Sequence, residues 1–196
     1  MIYIAYNRLG SPGMSVQASS VEDRLLKLQL RLAQLEKQES CRENFLDFVT
    51  TMWPDFISGR HHRIIAEKLE RVARGELKRL IINMAPRHTK SEFASFLFPA
   101  WMMGKNPSMK IIQATHTTEL AVNFGRKTKN LIDSDEFKTV FPEVKLAADS
   151  KASGRWDTSR GGMYYAVGVG SNLAGRGGDL VIIDDPHSEQ TAMSNS

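Results

Sequence analysis

The segment Asp179-Leu180-Val181-Ile182-Ile183-Asp184-Asp185-Pro186 constrains this chain more than any other. Four apolar β-formers in succession read as a strand buried on both faces, the habit of a parallel sheet in an α/β fold. Such a strand delivers the residues after it to the carboxyl edge of the sheet, where α/β proteins bind ligands. Two carboxylates follow here. They suit a divalent cation, held directly or through water, and they suit the polarising of a water molecule. Taken alone, Asp-Asp-Pro is also ordinary turn chemistry.

The rest of the chain supplies the layers such a strand needs. Residues 1–20, with Gly10, Pro12, Gly13 and several serines, read as a flexible leader. Residues 21–41 read as an amphipathic helical arm. Val21, Leu25, Leu28, Leu32 and Leu35 recur at alternating steps of four and three, which puts them on one stripe, and Ser20 suits an N-cap. The stripe serves either docking on its own domain or contact with a partner subunit. Residues 42–196 read as one α/β domain. Helices are expected over Phe45–Trp53, His62–Arg74 with Ile64, Ile65, Leu69 and Val72 inward, Lys90–Met103 and His116–Asp133. Strands are expected at the end of Leu77–Met84, over Met109–Ala114, over Met163–Val169 and over Asp179–Asp185. Strands alternating with helices argue a mainly parallel central sheet flanked by helices. The polar residues 191–196 follow directly on a buried-looking strand, so the sheet reads as unfinished and the chain as a piece of a longer protein.

The junction Ile81-Ile82-Asn83-Met84-Ala85-Pro86-Arg87-His88-Thr89-Lys90-Ser91-Glu92 is the second constraint. A strand ends, a tight loop follows, and a helix opens at Lys-Ser. In a phosphate loop, backbone N–H groups and the helix N-terminus hold phosphate oxygens, the Lys reaches the β- and γ-phosphates, and the Ser hydroxyl ligates Mg²⁺. Lys90 and Ser91 match G-x-x-x-x-G-K-[ST], while Met84 and Thr89 stand at the two glycine positions. By that measure the segment alone is equally a strand–loop–helix junction with a Lys at the helix start. Thr89 is β-branched and stiffens the loop. Arg87 adds a planar cation suited to bidentate phosphate contact. Lys-Ser opening one helix and Asp-Asp closing a later strand are the two halves of one Mg-ATP site, and each strengthens the other. Asp184 is the metal-side acid. The acid that polarises water is Asp185 or, from the following turn, Glu189.

Bulk properties exclude several classes. No apolar run approaches the ~20 residues of a membrane span. The N-terminus lacks the pattern of a secretory signal. The single cysteine, Cys41, forms no internal disulfide, and five His without a Cys cluster argue against zinc. A net charge of +4 is a mild basic balance.

From Phe45 to Glu189 the chain resembles the large terminase subunit of tailed bacteriophages, the ATPase that packages DNA. The residues carrying the resemblance are Trp53-Pro54, His61-His62-Arg63, Arg79-Leu80-Ile81-Ile82-Asn83, Pro86-Arg87-His88-Thr89-Lys90-Ser91-Glu92, Phe141-Pro142, Trp156, and above all Leu173-Ala174-Gly175-Arg176-Gly177 leading into Asp179–Pro186. The resemblance implies a P-loop NTPase of the additional-strand, catalytic-acid type. ATP would bind at Pro86, Arg87, His88, Thr89, Lys90, Ser91 and Glu92, with Mg²⁺ on Ser91 and Asp184, and catalysis by Lys90, Arg87 and Asp185. It implies double-stranded DNA, a small terminase subunit and a portal protein as partners, a homo-oligomeric ring, and the host cytoplasm as location. The family's nuclease domain would follow Ser196. Thr89 departs from the family's usual glycine, which bears on hydrolysis. Arg176, Arg126 and Arg160 are candidates for an arginine finger, and His61 and His62 read either as a surface or capping pair or, by the resemblance, as neighbours of the adenine. A helicase-type translocase is the rival enzyme reading, although Asp184-Asp185-Pro186-His187 does not match an Asp-Glu-x-His signature. A non-hydrolysing nucleotide- or partner-binding fragment is the other rival.

Overall fold

The structure is a computed structural model that describes residues 15–85, 87–150, 152–171, 175 and 177–187. The chain divides into two compact units after Lys37. The first unit is occupied by most of α1 (Ser15–Glu43). Helix therefore already covers residues 15–20 of the expected leader, and Ser20 lies inside the helix rather than at its cap; residues 1–14 lie outside the described ones. The five stripe residues are all between 45% and 67% exposed.

The second unit is an α/β fold with a four-stranded, mostly parallel sheet flanked by helices. The order is β2-β3-β1-β4, with β1 Lys110–Thr115, β2 Arg155–Asp157, β3 Met163–Gly168 and β4 Leu180–Asp184. β1 runs parallel to β3 and to β4, and β2 pairs antiparallel to β3 at one edge. The register brings three strand ends side by side: Thr115 lies opposite Gly168 on one side and Asp184 on the other. The carboxyl edge is thereby one continuous ledge.

The helices are α2 (Phe45–Met52), α3 (Arg60–Ala73), α4 (Phe98–Lys105), α5 (Thr118–Asp133) and α6 (Asp135–Val140). Thr117 caps α5 by accepting from the Leu120 N–H, and Ser134 caps α6 from Phe137. Trp53 and Pro54 end α2 as expected, and Gly75 follows α3 at φ +75°, a conformation glycine adopts without penalty. Helix α4 is preceded by a π-helical stretch, Glu92–Leu97, in which the Phe98 N–H bonds Phe93 O. The aromatic core joins Phe45, Phe48, Phe93, Phe98 and Trp101, all at most 2% exposed. In the same core, toward the β2 edge of the sheet, Trp156 of β2 stacks on Tyr164 of β3 at 5.0 Å and 3°, and its indole N–H donates to Gly125 O. A Cβ on Gly125 would sit 2.5 Å from Ser153 O, so only glycine lets α5 lie this close. Burial of the Tyr164 phenol raises its pKa well above the ordinary value.

Three expectations are corrected. The end of Leu77–Met84 is not a sheet strand: Leu80, Ile82 and Met84 rest on the core, while Ile81 is 90% exposed and no ladder pairs this segment among the described residues. β4 is not buried on both faces. It is the edge strand, paired with β1 alone among the described residues, and the face carrying Val181 and Ile183 is left uncovered, at 54% and 62% exposure. Ile64 is on the outer face of α3 at 48% exposure, whereas Ile65 and Leu69 are buried. In each case apolar character was read as burial, and the missing term is the neighbouring element. Strand β2 and helix α6 were not anticipated.

Trp156→Ala should cost about 3–5 kcal/mol, through the lost stack and the cavity left in its place. Urea unfolding followed by far-ultraviolet circular dichroism measures it.

Candidate functional site

Helix starts at Lys90, directly after the loop that follows the extended segment 80–85. β4 ends at Asp184. These two termini meet. Lys90 Nζ lies 2.6 Å from Asp185 Oδ1 and 3.6 Å from Asp184 Oδ1. The hydrogen bond to Asp185 raises the Lys90 pKa, with the charges of both acids adding to it against the opposing effect of burial. Asp184 is buried and its other oxygen, Oδ2, accepts from Ser95 Oγ at 2.8 Å. Ser95 is fully buried in the π-helical stretch, so the helix that presents Lys90 also fixes the acid facing it. Sequence reading missed Ser95; its signal, a lone serine inside an apolar helix face, is weak. Asp185 is the exposed member of the pair, at 66%.

The loop itself is held in an unusual shape. Arg87 and Thr89 have φ +65° and +61°, and Asp185 has φ +41°. They are the non-glycine residues of left-handed backbone among the described ones, and all three belong to this site. Each costs of the order of 1–3 kcal/mol and persists only where surroundings enforce it. For Thr89 those surroundings are visible. The Gly59 N–H donates to His62 Nδ1 at 2.9 Å, so the neutral ring carries its proton on Nε2 and donates to Thr89 Oγ1 at 2.7 Å. The hydroxyl donates onward to His88 O, and Thr89 O accepts from the Phe93 N–H. The His62 ring is buried between Phe56, Phe93 and His61. Burial first, then the nearby His61 and His88, hold its pKa below the ordinary 6.5. Asp185 is braced by its carbonyl, which accepts from the His116 N–H.

A cleft of about 600 Å³ opens between the segment 78–83 and β4, with Lys90, Ser95, Asp184 and Asp185 along it. A smaller one of about 250 Å³ lies on the other side of 80–84, against His61, Ile64 and Lys68 of α3. The oxygen donors along the cleft, from Ser95, Asp184 and Asp185, are hard and few; Ser91 follows Lys90 in the helix but is not among the cleft's lining residues. That matches Mg²⁺ as it is held in nucleotide sites, by one or two side chains plus substrate phosphates. No group of three or more His, Cys, Asp and Glu converges as a metal cage among the described residues.

Other expected residues separate. Glu92 pairs with Lys127 at 2.8 Å, with the ammonium over the rings of Phe96 and Phe124. Arg126 is on the exposed face of α5, donating to Asn123. Arg160 pairs with Glu143 and precedes β3, at the amino end of the parallel strands and so opposite the ledge. Pro86, Arg176 and Glu189 lie outside the described residues.

The unfolded chain binds a proton at His62 before the folded one does, so this group's contribution to stability is complete above pH 6.5 and falls as the pH drops through the lowered folded value. Urea midpoints at about pH 7.5 and about pH 5.5 should therefore converge for His62→Ala relative to wild type, with a loss of about 1 kcal/mol at the higher pH from the Thr89 bond. Compared with protein-family models, with curated protein sequences and with solved structures, the chain gives no match.

Proposed function

We propose that this chain is the ATP-hydrolysing motor domain of a viral DNA-packaging terminase, coupling Mg-ATP hydrolysis to translocation of double-stranded DNA into a procapsid. The observation that carries the reading is the meeting of Lys90 with Asp184 and Asp185 at one sheet edge, reached from two distant stretches of sequence. The terminase part of the reading rests on sequence resemblance, above all the glycine-rich run before β4.

In this reading the backbone N–H groups after Pro86 and the start of the Lys90 helix cradle the phosphates. Lys90 releases Asp185 and turns to the β- and γ-phosphate oxygens, where its charge offsets the charge that builds up in the transition state. Arg87 contacts phosphate as a planar fork. Ser91 and Asp184 would hold Mg²⁺, which would supply positive charge against that of the phosphates. Asp185, freed from Lys90, orients the attacking water and takes its proton as the oxygen bonds the γ-phosphorus and the bond to the β–γ bridging oxygen breaks. Duplex DNA, a small terminase subunit and a portal protein are the partners, and a ring of copies is the working assembly.

A specific observation also favours a second reading, nucleotide binding without turnover. Thr89 takes the position where a glycine would let the loop adapt, and it is tied to His62. Isothermal titration with Mg-ATP and phosphate release on the same samples test both. Lys90→Ala should weaken Mg-ATP binding about 10- to 100-fold, the loss of a charge-assisted contact. Asp185→Asn should keep binding within a few-fold and lose phosphate release. Faster release in Thr89→Gly than in wild type would support the second reading; unchanged binding in Lys90→Ala would overturn the nucleotide assignment.

A further inference from the structure

The α1 stripe has no role in the nucleotide site, and its composition is unusual for a solvated helix face. Val21, Leu25, Leu28, Leu32 and Leu35 are all large, aliphatic and at least 45% exposed. Their four–three spacing puts Leu25 and Leu32 at the a positions of a heptad and Val21, Leu28 and Leu35 at the d positions. Leu26 and Leu30 are also exposed but lie on the opposite side of the helix, outside this seam.

We propose that this stripe is the seam of a parallel coiled coil between copies of this chain. The charges flanking it choose the partner and the direction. Glu22, Gln29 and Glu36 run along one border, at the e positions, and Arg24 and Arg31 along the other, at the g positions. In a parallel pair each g residue faces the e residue of the next heptad on the second copy, so Arg31 meets Glu36 and Arg24 meets Gln29. In an antiparallel pair e faces e and g faces g, which sets Glu against Glu and Arg against Arg. A single helix of this sequence is therefore complementary to a parallel copy of itself and repelled by an antiparallel one. The stripe is only about two and a half heptads, short for a free-standing coiled coil. The helix does not nucleate alone, however: its last turn is folded into the second unit, with Cys41 buried, Trp101 Nε1 donating to Cys41 O and Arg42 Nε donating to Val140 O.

The test is sedimentation equilibrium of the full chain without nucleotide, over a range of concentrations. Wild type should show a concentration-dependent mass above the 22.0 kDa of one chain. Two charge variants, Arg24→Glu with Arg31→Glu and Glu22→Lys with Glu36→Lys, should each dissociate about tenfold more readily, because positions 31 and 36 of facing copies then carry like charges. Mixed one to one, they should associate again. Val21→Cys should form a disulfide-linked dimer under mild oxidation, since parallel, in-register strands bring the two thiols together. A wild type that stays at one chain's mass at the highest soluble concentration overturns the proposal, as does association of the two variants that matches wild type. All substitutions are at exposed positions, and unchanged circular dichroism confirms that the fold is intact.

Discussion

An ammonium group placed between two carboxylates organises the carboxyl edge of this sheet. Lys90 opens a helix, and Asp184 and Asp185 end a strand that follows much later in the chain. Charges drawn partly out of water lose hydration, and the loss is tolerable only when partners replace it. Asp184 is the stricter case. Buried at 7% exposure, it has Lys90 on one side and Ser95 Oγ on the other, and both come from the same stretch of helix. The helix from Lys90 and the strand β4 are thus joined by polar contacts at the ledge as well as by apolar packing behind it. The π-helical turns at Glu92–Leu97 belong to the same construction, because they contain Ser95; π turns inside helices are frequent at functional sites.

The ledge was legible because strong local patterns produce it. Apolar runs closed by acids and a helix opened by Lys-Ser are read without knowing what surrounds them, and residue type alone carries the chemistry. The same reasoning located β1, β3, β4, α2, α3 and α5 to within a few residues. It failed where a neighbour decides. Leu80-Ile81-Ile82 and Leu180-Val181-Ile182-Ile183 look alike as sequence, yet among the described residues the second is a strand paired with β1 and the first rests on the core without a ladder. Hydrogen-bond partners across a sheet are set by topology, which a period-two or all-apolar pattern does not encode. Strand β2 was hidden for a related reason: three residues are too few to show a period, and what holds them is Trp156 stacked on Tyr164 and bonded to Gly125 on α5. His62 was weighed as a capping or surface residue. Its ring does cap α3, through Gly59, and it reaches Thr89 as well, a contact across sequence that only the fold creates.

Thr89 gives that contact its meaning. Glycine at this position would adopt φ +61° freely, and the loop would then be free to leave that shape as easily as to keep it. A β-branched residue pays for the same backbone angle with strain, so the conformation must be enforced, and a hydroxyl is what makes enforcement possible. Thr89 Oγ1 sits between His62 Nε2 and His88 O, while its carbonyl takes the Phe93 N–H. Threonine therefore exchanges freedom for order: the loop ahead of Lys90 is held in one shape, and the imidazole that holds it has its pKa lowered by its buried setting. A loop held this way has little conformational freedom left to lose, and any movement of it must first break the His62 bond. Where glycine would leave the loop its own flexibility, here its shape depends on a contact with one buried histidine.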